Sequence, residues 1–168
     1  MNFLKREGHD FEQKDEDGKT PLLSQLSVDG GQSLEMARLL LEFGANVHAT
    51  TPAGQNALQC AMSRSNWEEY REILEQKLCL LIEAGADVNH CDEFGDTPSD
   101  DAREHYQCWD EWCRALESNG LNLHEVIQAD EERRESFWEA EVTAEVIEGD
   151  TRKISPEEVL PLISGPIP

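Results

Sequence analysis

Positive charge is what this sequence has least of. Its 14 Lys and Arg stand against 36 Asp and Glu, a formal net charge of −22 at pH 7. Affinity for nucleic acid comes largely from cationic side chains that neutralise phosphates, so a duplex is repelled by such a chain. Anionic membrane surfaces are disfavoured for the same reason. Long apolar runs are missing too. No stretch approaches the ~18–20 residues that a membrane helix needs, and Lys5, Arg6 and Glu7 come too early for an N-terminal leader. The five cysteines (Cys60, Cys79, Cys91, Cys108 and Cys113) are odd in number and lack the spacing of a secreted disulfide framework. These absences read together as a reduced protein of the cytoplasm or nucleus. With 38% apolar and 30% charged residues, the composition supports a packed core over part of the length but not all of it.

The usual marks of chemistry are equally scarce. A nucleophilic cysteine needs a lowered pKa and a base within reach, whereas every cysteine here has acidic neighbours that push its pKa upward. Carboxylate pairs for acid–base work can be drawn from the 36 acids at will, so none of them is a signal. There is no phosphate-cradling glycine loop and no metalloprotease pair. His90-Cys91 and the run His105, Cys108, Cys113 raise the question of zinc. Only His105 to Cys108 has ligand spacing; Cys113 follows on what reads as the same helix, and a fourth ligand has to come from elsewhere. The reading is therefore no enzyme, no metal and no cofactor.

What is present is a period. One signature is a glycine turn running into a short helix: Asp15 to Leu22 (DEDGKTPL), Thr51 to Leu58 (TPAGQNAL) and Asp92 to Ser99 (DEFGDTPS). The other is an apolar helix running out into glycine: Ala37 to Val47, Leu80 to Asn89 and, more weakly, Arg114 to Asn122. Turn glycines Gly18, Gly54 and Gly95 lie 36 and 41 residues apart; helix-ending Gly44, Gly85 and Gly120 lie 41 and 35 apart. Phe3 to Phe11 carries half of a further copy, with Gly8 placed 36 residues before Gly44. Thr20-Pro21 and Thr97-Pro98 each offer a capping hydroxyl followed by a proline whose missing N–H costs nothing at a helix start, and Asn56 caps the middle copy. Leu34, Ala37, Leu40 and Leu41 keep helical spacing, as do Ile73, Leu74, Leu78, Leu81 and Ile82. One helix pair cannot bury such a face alone, so neighbours must stack on it.

These signatures resemble ankyrin repeats, units of about 33 residues built from a turn and two antiparallel helices. Each interval here exceeds that period, which places insertions between helices, the largest around Ser63 to Tyr70 with Trp67 and Tyr70 inside it. The family usually has histidine after Thr-Pro-Leu; this chain has Leu23, Gln59 and Asp100 there. The third copy is the most polar, with Ser99-Asp100-Asp101, which fits the polar outer cap a solenoid requires. Leu81, Asp87, Val88 and Asn89 resemble a pattern that certain oxygenases hydroxylate, although the simpler expectation is that Asn89 hydrogen-bonds its own turn.

The expected fold is all-α, an ankyrin-like solenoid over 1–122 with a half repeat at 1–14 and repeats near 15–50, 51–91 and 92–122. A helical cap over 123–148 and a Pro-containing tail over 149–168 follow. Leu123 to Glu135 reads as one helix with Val126, Ile127 and Ala129 on its apolar side, and Ser136 to Ile147 reads as its extension or a short strand. Trp109, Trp112 and Trp138 are expected to cover the end of the array. The resemblance implies that turn tips and inner helices bind another protein, and the acidic surface favours a basic one. Carried over position by position, the tips are Glu16, Asp17, Lys19, Thr50, Ala53, Gln55, Glu93, Phe94 and Asp96, joined by Gln25, Gln59 and Met62 on the inner helices. Phe94 is the preferred anchor, and the chain is expected to be a monomer. The competing reading is an architectural segment of a longer array with no partner of its own.

Overall fold

The computed structural model describes residues 11–28, 31–63, 71–105 and 107–149, giving backbone alone over 141–149. Most of the N-terminal half repeat, the insertion residues Trp67 and Tyr70, and the tail from residue 150 onward lie outside the described residues. Among the described residues the secondary structure is helical: α1 (Pro21–Leu26), α2 (Gly31–Glu42), α3 (Ala57–Met62), α4 (Arg71–Glu83), α5 (Pro98–Asp100), α6 (Trp109–Ser118) and α7 (Leu123–Gly149). A π-helical turn, Asp101–His105, continues α5.

The short helices begin where the sequence supplies caps. Thr20 Oγ1 accepts from the Leu23 N–H, and Pro21 occupies the first turn of α1. Asn56 and Gln59 form a reciprocal capping box at α3, with bonds of 3.1 and 3.0 Å. Thr97 and Asp100 repeat it at α5. The long helices end in the same way each time. Beyond α2, the Ala45 N–H reaches back to the Leu40 carbonyl and the Gly44 N–H to Leu41. The same pair of bonds recurs at Ala86 and Gly85 after α4, and at Leu121 and Gly120 after α6.

Two layers result. Helices α1 and α3 and the α5–π-turn segment line up on one side, with α2, α4 and α6 behind them; each layer packs within its own repeat and on the next repeat. The core between the layers holds Leu22, Leu23, Leu26, Leu58, Met62, Leu78, Leu81 and Leu116, all but sealed from solvent. Burying each such side chain is worth about 1.5–3 kcal/mol in gross transfer free energy. One cation lies inside as well. Lys77 of α4 is buried and its Nζ donates to the Val28 carbonyl at 2.8 Å and to Leu26 at 3.5 Å, answering acceptors left open at the end of α1.

The third repeat departs from the sequence reading in two ways. His105 and Cys108 do not share a helix with Cys113. The π-turn ends at His105, Gln107 turns the chain with φ +52°, and Cys108 is the residue before α6. The polar run Ser99-Asp100-Asp101 does not simply face solvent either: Ser99 and Asp101 are buried.

Successive turns stack closely enough to constrain their glycines. Gly54 sits at φ +75°, and a Cβ on it would lie 2.9 Å from the Glu93 backbone nitrogen. That nitrogen donates to the Ala53 carbonyl at 3.2 Å, a bond between neighbouring turns. Gly85 at φ +91° has open space around it. Gly54→Ala should therefore cost about 2–3 kcal/mol in urea unfolding, against about 1 kcal/mol for Gly85→Ala, where only the backbone conformation is penalised. Equal losses at the two sites would show that stacking of the turns contributes nothing at Gly54.

Candidate protein-interaction surface

The three turns are built alike. The Gly18, Gly54 and Gly95 N–H groups donate to the carbonyls of Asp15, Thr51 and Asp92, and those three residues donate their own N–H to Lys19, Gln55 and Asp96. A side-chain oxygen fixes each tip from inside. Asp15 Oδ1 accepts from the Asp17 and Lys19 amides, Thr51 Oγ1 from Gln55, and Asp92 Oδ1 from Phe94 and Asp96, all between 2.9 and 3.2 Å. The Ser24 hydroxyl also bonds Asp15; that contact, then the Lys19 amide, holds the Asp15 carboxyl below its ordinary value.

Along these tips Glu16, Asp17, Glu93 and Phe94 are exposed, and Phe94 leaves 62% of its surface to solvent. Lys19, Gln25, Thr50, Ala53, Gln55 and Asp96 are half-buried. Lys19 turns its ammonium to Ser27 Oγ at 3.2 Å. Two of the expected contact residues do not reach the surface: Gln59 and Met62 are fully buried. Met62 is core. Gln59 does internal work instead, since its Nε2 donates to the Asp96 carbonyl at 3.1 Å and so ties α3 to the third turn. Pro52, which the sequence reading passed over, is exposed and lies against the first turn; a Cβ on Gly18 would come within 2.6 Å of its Cγ.

The longest helix among the described residues is α7. It runs unbroken from Leu123 to Gly149, so the stretch after Ser136 is helix and not strand. Val126 packs into the core, and polar bonds seat the helix on the second and third repeats. Asn89 Nδ2 donates to the Val126 carbonyl at 2.8 Å and to Asp130 Oδ1 at 2.7 Å, so Asn89 reaches beyond its own turn. Arg133 pairs with Asp87 at 2.7 Å, and Arg134 grips both oxygens of Asp100 at 2.8 and 2.6 Å. Beneath them the buried Trp112 indole donates to Ser99 Oγ at 3.2 Å. Trp112 is thus core, Trp109 is half-buried against the Arg103 guanidinium at 4.3 Å, and Trp138 stays 48% exposed.

Burial dominates the titration of the thiols. Cys60 is pushed up to about 11 by desolvation. Cys79, Cys91 and Cys113 are raised chiefly by desolvation as well, with acidic neighbours adding to it. Such thiols stay protonated and weakly nucleophilic at neutral pH. Among the described residues no three His, Cys, Asp or Glu side chains converge as metal ligands.

Two carboxyls where α7 meets the third repeat are shifted in opposite directions. Asp130 is buried, one of its oxygens has no hydrogen-bond partner among the described residues, and desolvation raises its pKa despite bonds to Ser99 and Asn89. For Asp100 desolvation is outweighed by the Thr97 bonds and Arg134, and the value falls. A raised folded-state pKa means that the native state binds the proton more tightly than the unfolded chain. Asp130 therefore adds stability as pH falls through its folded value toward the ordinary aspartate value of about 3.9, whereas the contribution of Asp100 is lost as pH falls below that value. Asp130→Asn should raise the Tm at pH 7 relative to the parent, and the difference should shrink at about pH 4, near the ordinary aspartate value. A loss of equal size at both pH values would show that only the shape of the carboxylate matters.

The ankyrin repeat family model matches residues 17–52. The chain is similar to the crystal structure of the ankyrin repeat domain of Bcl-3, described as a unique member of the IkappaB protein family, at 30% identity and a TM-score of 0.50. That likeness covers 66% of this chain and 43% of the other, so the chain spans less than half the length of that domain. No curated protein sequence matches it. No helix among the described residues is long and apolar enough to cross a membrane. Residues 17–52 are an ankyrin repeat, and the turns and helix pairs stacked beyond them give this chain the ankyrin-repeat fold.

Proposed function

We propose that this chain is a non-catalytic, intracellular interaction module that holds another protein along its row of turn tips. The observation that carries this reading is the row itself. Three turns share the same backbone hydrogen bonds, and the first and third of them present Glu16, Asp17, Glu93 and Phe94 outward. Fixed backbone tips cost little entropy to dock, and an exposed aromatic among them offers contact area with few torsions to freeze. The acidic tips supply orientation and association rate more than affinity, and they favour a partner with a basic face. The raised thiol pKa values and the absence of a converging ligand set among the described residues give no support to nucleophilic or metal chemistry. With a charge of −22, self-repulsion favours a monomer.

The test is affinity capture from cell extract with the parent and with a tip variant carrying Glu16→Gln, Asp17→Asn, Glu93→Gln and Phe94→Ala. The parent should retain one or a few proteins that the variant loses by at least about tenfold, equivalent to about 1.4 kcal/mol. The thermal unfolding of the variant should match the parent within about 0.5 kcal/mol, because the changes lie on the surface. Equal retention by both would place any binding away from the tips.

A further inference from the structure

We infer that α7 extends the binding surface beyond the repeats, and that the site it completes beside the third turn takes a partner segment with cationic side chains flanking an aliphatic or aromatic one. This rests on the interaction-module reading and adds to it both a location and a ligand class. Gly95, directly after Phe94, is overlain by α7: a Cβ on it would lie 3.2 Å from Trp138 Cζ2 and 3.3 Å from Phe137 Cδ1. The two rings meet edge to face at 5.3 Å between centroids. Phe137 is half-buried in this arrangement, whereas Trp138 and Phe94 each leave about half or more of their surface to solvent. Two large aromatics thus stand exposed at one end of the array, on two elements held together by the Asn89 and Arg134 bonds.

The surrounding charge selects the occupant. Glu93, Glu131 and Glu135 are exposed in this neighbourhood. The cations nearby, Arg133 and Arg134, are already paired with Asp87 and Asp100. The local field is therefore negative and attracts a cationic segment. Lys or Arg can also lie over the exposed indole face of Trp138, and an aliphatic or aromatic side chain can cover the rest of the patch. A second copy of this chain is the wrong occupant, because it would bring −22 of charge against −22.

The probes are three capped octapeptides: alternating lysine and leucine, the same with glutamate for lysine, and the same with serine for leucine. Each is titrated calorimetrically into the full chain, into Trp138→Ala, into Phe94→Ala and into a variant carrying Glu16→Gln and Asp17→Asn. The lysine–leucine peptide should bind, and weaken with added salt. It should bind at least about tenfold less tightly to Trp138→Ala and to Phe94→Ala, and nearly unchanged to the first-turn variant. The serine peptide should be weaker by a similar factor, and the glutamate peptide should not bind. Equal binding of the lysine–serine peptide, with no effect of Trp138→Ala, reduces the surface to unspecific charge and overturns the inference. No binding of the lysine–leucine peptide, or binding of the glutamate peptide, overturns it as well. Self-association of the chain that Trp138→Ala abolishes overturns it in favour of a second copy. Because Trp138 lies outside the repeat tips, its failure leaves the tip reading standing; loss of binding in the first-turn variant alone would support the tips and not α7.

Discussion

Everything in this array depends on one repeat reaching the backbone of the next. A helix pair of about 30 residues is too small to bury its own apolar face, so the units are stable only as a stack. The contacts that set the stacking distance are polar. Asn56 Nδ2 donates to the Asp87 carbonyl at 2.8 Å, Gln59 Nε2 to Asp96 at 3.1 Å, and His90 Nε2 lies 2.7 Å from the Gly54 carbonyl. Each answers a partly buried backbone acceptor. Asn56 and Gln59 also cap α3, so the start of one helix and the position of the next turn are fixed by the same two side chains. Once that distance is set, Leu58, Leu78 and Leu81 fill the interior and the turn tips fall into a row.

Helix α7 ends the stack by borrowing the same logic. Asn89 uses on the Val126 carbonyl the kind of bond that Asn56 uses on Asp87. Asp100, standing where the family usually has histidine, closes its own capping box and receives Arg134 from α7. The fit has a cost at Asp130, whose buried carboxyl leaves one oxygen without a hydrogen-bond partner among the described residues. A fully apolar contact there would avoid that cost, but it would also remove the bond that the Asn89 amide makes to Asp130. Seating the helix in this way also lays Phe137 and Trp138 over Gly95 beside the third turn tip, which carries the structural cap into the neighbourhood of the exposed surface.

How much was legible follows from the range of each interaction. Turn glycines, Thr-Pro and Asn caps and helix-ending glycines act within a few residues, so the order of elements and the repeat spacing could be read directly. The exposure of Phe94 followed from its place on a turn. The burial of Gln59 did not, because its partner Asp96 lies 37 residues away and the same glutamine on a free inner helix would face solvent. Asn89 was legible only in part: its backbone N–H bonds Asp87 within its own turn, as expected, but its side-chain amide bonds lie on α7, at Val126 and Asp130.

By itself, then, the sequence determined an acidic, glycine-punctuated helical repeat, since charge, capping and periodicity are properties of residues and near neighbours. Only the tertiary structure decided which polar side chains were consumed in holding repeats together and which stayed on the surface. It also decided where α7 settles, because an amphipathic choice between faces is made by the partner and not by the helix. Trp112 and Trp138 show the difference most plainly. Both are tryptophans in acidic helices, yet packing seals one beneath Ser99 and leaves the other half exposed.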